Sequence, residues 1–123
     1  MGDRWYEEGQ PVATEWEAVA LAFVASLLNR DFWSARELLA GEFSSRMTEA
    51  ELERRTLRLI SEEDVPMSKP WVISSIDSWP GKLPSECGAA YVVVGGDFNE
   101  AITPTVVDDD GRLCIGDIAW QRP

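Results

Sequence analysis

Four side chains on the predicted strands are the candidates for acid–base work: Asp77, Asp97, Asp117 and Tyr91. Successive side chains of a strand point to opposite faces, so residues of equal parity share a face. By that rule Asp77 lies with Trp71, Ile73 and Trp79, and Asp117 with Leu113 and Ile115. Tyr91 matches Asp97, although Gly95 and Gly96 stand between them. A carboxylate among aromatic rings is desolvated and its pKa rises, which suits a general acid or base; a phenol can donate to a developing oxyanion. Such a set would serve a cofactor-free isomerase or dehydratase. The competing reading places the three Asp at strand ends or on a solvent face, where Asp is ordinary, and the sequence favours it.

Other chemistries are excluded more firmly. The chain has no His, and so lacks the usual general base near neutral pH, the Ser/His and Cys/His nucleophile pairs and the commonest metal ligand. Its two cysteines, Cys87 and Cys114, form no CxxC and are too few for a metal site; reduced, buried thiols are expected, with a single bridge between them left open. The Asp108-Asp109-Asp110-Gly111 run lacks the alternating ligands and the distant bidentate Glu of a calcium loop, so it reads as a turn. No metal and no cofactor are expected.

The chain has 123 residues, with 22 acidic against 11 basic side chains and a net charge of −11. That length allows one core without disulfide or metal staples. Residues 1–13 are expected to be a flexible segment and 14–123 a single domain. The excess of carboxylates repels phosphate backbones and anionic lipid, which disfavours nucleic acid and membranes and leaves basic proteins or neutral ligands. The first residues carry Asp3, Glu7 and Glu8 with no apolar run, unlike a cleavable leader, and the Ala18–Leu28 stretch is too short for a span. A cytoplasmic protein is expected.

The elements that must position these groups separate along the chain. Thr14 and Glu17 form a capping-box pattern opening a helix over about 15–29, in which Trp16, Val19, Ala20, Phe23, Val24, Leu27 and Leu28 build one wide apolar stripe. Asp31 caps a second helix carrying Phe32, Ala35, Leu38 and Leu39, with Gly41 expected as its C-cap. Thr48 and Glu51 open a third, running to about Ile60. Arg54, Arg55 and Arg58 crowd its last turns, either pairing with Glu51 on a solvated face or serving as an anchor for an anion or carboxylate. A connector over Ser61–Pro70 follows. The strand candidates are Trp71–Trp79, Ala89–Phe98, Glu100–Val107 and Arg112–Trp120. Gly95–Gly96 suggests a bulge, and Pro104 an edge position or another bulge.

The predicted fold is therefore α+β: three N-terminal helices packed on a strongly curved antiparallel sheet of about four strands, a cone with an internal pocket. Trp16, Trp33, Trp71 and Trp120 occupy positions that read as core, whereas Trp5 and Trp79 are expected as exposed partner contacts. If the cone or its rim binds something, Phe23, Trp33, Trp71, Trp79 and Trp120 are the residues expected to line the pocket or touch the partner.

Two segments, AVALAFVASLLNRDFWSARELL and TPTVVDDDGRLCIGDIAWQRP, resemble the long helix with its break at an Asp, and the terminal hairpin ending in an aromatic and a basic residue, of the nuclear transport factor 2-like superfamily. The resemblance spans about residues 14–123. That superfamily includes ketosteroid isomerases, dehydratases, polyketide cyclases, transport adaptors and immunity proteins, so it implies a cone-shaped fold and leaves the function open. Here the His-dependent versions of its active site are impossible. The leading expectation is a non-catalytic binding module holding a protein partner or a small apolar molecule, with a homodimer through the sheet as a variant. The charge suggests an immunity-type protein that masks a basic toxin. The alternatives are an isomerase or dehydratase of the ketosteroid-isomerase or polyketide-cyclase type using Asp and Tyr, and a subunit or regulatory domain whose exposed sheet pairs with another chain.

Overall fold

The structure is a computed structural model and describes residues 3–5, 12, 14–61, 69–94 and 100–121. Helix α1 spans Glu15–Leu28, and the Thr14 hydroxyl caps it by accepting from the Glu17 amide at 3.2 Å. Helix α2, Phe32–Glu37, starts at Asp31, whose carboxylate accepts from the Ser34 amide at 3.1 Å. Helix α3 covers Gly41–Arg46, and α4 covers Glu49–Leu59 behind the Thr48 cap.

Among the described residues four helices stand where three were expected, because α2 stops early. The backbone leaves the helix at Leu38 and Leu39 to bond the sheet: Ile115 N–H donates to Leu38 C=O at 2.7 Å and Ala40 N–H donates to Ile115 C=O at 2.8 Å. Gly41 is accordingly not a C-cap but the first residue of α3. Long-range pairing outweighs the local helical pattern here.

The strands are β1 (Asp3–Trp5), β2 (Trp71–Ile76), β3 (Glu86–Val93), β4 (Ala101–Asp109) and β5 (Arg112–Gln121), antiparallel and adjacent in chain order in a sheet that does not close. Within the segment expected to be flexible, Asp3–Trp5 forms β1 and pairs with Ser74–Ile76 at the sheet edge. Strand β2 ends at Ile76 rather than Trp79, before Pro80 and a left-handed Gly81 (φ +80). Asp110 and Gly111, both with positive φ, make the tight β4–β5 turn, and the Asp108 carboxylate accepts from the Gly111 amide at 2.7 Å. Pro104 sits in central β4, not on an edge, beside a register shift at Thr105/Val106. Gly95 and Gly96 lie outside the described residues.

Helix α1 crosses the inner face of the sheet. Phe23, Val24 and Leu27 meet Ala90, Val92 and Ile102 in one core in which each is 0% exposed. Each such large side chain contributes about 1.5–3 kcal/mol through burial. Trp16 reaches the sheet over Gly88, where a Cβ would stand 2.5 Å from the indole, so this close approach requires glycine.

Candidate functional site

Of the expected acid–base residues, Tyr91 and Asp117 stand apart in the sheet. Asp117 is exposed on β5, opposite Thr105. The β3–β4 register sets Ala89 against Thr105 and brings Tyr91 beside Thr103. Tyr91 and Asp117 are therefore two strands apart, about 10 Å in the sheet plane and beyond direct hydrogen bonding. Asp77 is half-buried just past the end of β2. Asp97 lies outside the described residues.

The expected pocket residues also divide. Phe23 is in the core, and no described side chain of α1 lines the three clefts described below. Trp71 and Trp79 are half-buried and line none of the three, and the Lys82 ammonium lies 5.9 Å from the Trp79 ring. Trp33, read as core from its helical spacing, is 62% exposed instead. It borders a polar cleft with Arg36, Glu37 and Arg112, where the Arg36 guanidinium donates to Ser44 C=O at 3.1 and 3.2 Å and Arg112 donates to Glu37 C=O. These bonds tie the α2–α3 corner and the hairpin together.

A second cleft occupies the outer face of the sheet. The registers align Trp5 with Ser74, Ser74 with Tyr91, and Thr103 with Ala119. Beside that file run Ile76, Ala89, Thr105 and Asp117. Trp5, Ile76, Ala89, Tyr91 and Thr103 border a shallow groove of about 260 Å³, and none of its lining residues among the described ones is charged. Trp5 is 72% exposed beside it.

Sequence reasoning missed one buried carboxylate. Glu17 is 0% exposed; its Oε2 accepts from Ser75 Oγ at 2.5 Å and its Oε1 from Thr14 Oγ1 at 2.7 Å. The capping-box pattern assigned it to the helix start, whereas the side chain turns inward to the middle of β2. Adjacent serines in an otherwise apolar strand were the available signal.

On α4, Glu51 is gripped by Arg54 (2.5 and 3.1 Å) and Arg55 (2.7 Å), and these bonds bring its pKa down to about 2. This is the paired arrangement expected from the spacing. The same arginines, with Arg58, Leu59 and Trp120, wall a third cleft between α4 and β5.

Cys87 is half-buried and Cys114 buried, both as free thiols, and burial pushes the pKa of each up. Among the described residues no three His, Cys, Asp or Glu side chains gather as a metal site, and no helix is long and apolar enough to cross a membrane. No family model matches this chain, and no curated protein or solved structure matches it.

Proposed function

We propose that this chain is a non-catalytic binding module of the nuclear transport factor 2-like type, acting in the cytoplasm, which holds a protein partner on the outer face of its sheet. The observation that carries this reading is the packed interior. Phe23, Leu27, Val92 and Ile102 fill the space between α1 and the sheet where a cone would hold a substrate, and Tyr91 and Asp117 stand two strands apart. The outer face offers what a protein interface uses: a groove with Tyr91 and Ile76, an exposed Trp5, and Asp117 on the same face. With a net charge of −11, the rim favours a partner whose own rim is basic.

Affinity capture from the native cells tests this with three baits: wild type, Tyr91→Asp and, on exposed α3, Glu42→Lys. The reading predicts a partner retained by wild type and Glu42→Lys, lost with Tyr91→Asp, and weakened by salt. Retention by Tyr91→Asp equal to wild type contradicts it. Recovery of the chain itself as the captured partner identifies the homodimer version.

A further inference from the structure

The cleft between α4 and β5 joins three guanidinium groups to an apolar wall. Arg54, Arg55 and Arg58 face Leu59 and Trp120 around about 370 Å³. Three of the chain's 11 basic residues thus meet in one place on a protein of net charge −11. With Glu51 included, the four charged side chains sum to +2.

Two observations point to a ligand. The indole N–H of Trp120 is shielded from water with no acceptor among the described residues, although buried indoles ordinarily find one. The described residues contain only two such orphaned side-chain atoms, this one on β5 and the Thr56 hydroxyl on α4, the two elements that wall the cleft. The arginines, moreover, already hold a carboxylate: Glu51 accepts two bonds from Arg54 and one from Arg55. A guanidinium has five N–H donors, so these bonds do not exhaust either group.

We propose that this cleft binds a small organic carboxylate with a flat apolar body. The carboxylate lies on the arginines, the body packs against Leu59 and the Trp120 ring, and the ligand gives the Trp120 N–H an acceptor. Planar guanidinium suits both parts, since it matches a carboxylate in a fork and stacks on flat rings. The volume lies near the lower end of the roughly 300–1,000 Å³ range of small-molecule sites. The lining shares no residue with the outer-face groove, so the two proposals stand or fall separately.

The test follows the Trp120 indole resonance of ¹⁵N-labelled full-length protein, assigned with Trp120→Phe, during titration with 1-naphthoate at constant ionic strength. Its neutral amide, 1-naphthamide, and inorganic sulfate are the two comparison arms. The expected result is a saturable shift with naphthoate at Trp120 and the Leu59 amide, with both comparison compounds at least about tenfold weaker, the scale of a lost charge-assisted contact. Arg58→Gln and Arg55→Gln should each weaken naphthoate about tenfold, measured well below each variant's own melting temperature. Absence of a saturable shift overturns the proposal. So does equal binding of the amide, which leaves only an apolar cleft, or of sulfate, which leaves only an anion patch.

Discussion

Ser75 Oγ donates a 2.5 Å hydrogen bond to Glu17 Oε2, joining the middle of β2 to the first turn of α1 where the carboxylate is closed to water. A buried carboxylate is tolerated only when donors replace its hydration, and Ser75 and Thr14 supply two. Ser75→Ala should therefore destabilise the protein by about 1–3 kcal/mol. Glu17→Gln should cost less than Glu17→Ala, because the amide fills the same space and keeps a carbonyl for Ser75. Urea unfolding of the three variants gives the ranking, and a neutral Ser75→Ala would show that the bond contributes nothing.

Gly88 gives a second handle on the same packing. A methyl group there meets Trp16 at 2.5 Å and the Ile76 carbonyl at 2.9 Å, so one ring and one backbone must shift together. Gly88→Ala is expected to cost about 1–3 kcal/mol, the range for overpacking a filled core. Thermal unfolding monitored by near-ultraviolet circular dichroism, which reports Trp environment, checks it.

The Glu51 pairing sets a sign in acid. The bonds from Arg54 and Arg55 put the folded-state pKa at about 2, below the ordinary 4.5, so the folded protein holds this carboxylate ionised where the unfolded chain protonates it. The stabilisation is present above pH 4.5 and is lost as pH falls towards 2. The melting-temperature difference between wild type and Glu51→Gln should be level above pH 5 and shrink towards pH 2.5, with salt reducing it throughout, since the pair is exposed. A difference that grows on acidification contradicts the pairing.

Thiol chemistry should follow burial. Desolvation raises both cysteine pKa values, so both thiols stay protonated at neutral pH and alkylate slowly in the folded state. Cys87, half-buried, should react with iodoacetamide before the buried Cys114, and denaturant should release both. Mass spectrometry of timed aliquots gives the order.

Much of this architecture is legible in the sequence, for physical reasons that differ by element. The Thr14 and Thr48 caps and the α1 stripe are local signals, and the helices begin where those residues place them. The Asp110-Gly111 turn is equally local, because both residues adopt the positive φ that the tight hairpin needs. What was not legible depends on distant partners. Leu38 and Leu39 continue a helical pattern but are drawn off by Ile115, more than seventy residues away. Asp3–Trp5 has no strand signature of its own and is ordered by the β2 edge. Trp33 shares helical spacing with core residues yet points outward, since a six-residue helix has too few turns for spacing to fix its buried side. Of the candidate sites, the arginine cluster was visible in the spacing of α4, while its indole neighbour comes from the last strand and only the fold brings them together.

With its interior filled, the protein is proposed to bind its partner on the outer face of the sheet. Photo-crosslinking in the native cells tests it most directly, with a benzophenone amino acid placed singly at Tyr91, at exposed Ala119, or at exposed Glu42 on α3. A discrete protein adduct is expected from Tyr91 and Ala119 and none from Glu42. Adducts arising from Glu42 while the two sheet positions stay unmodified would contradict it.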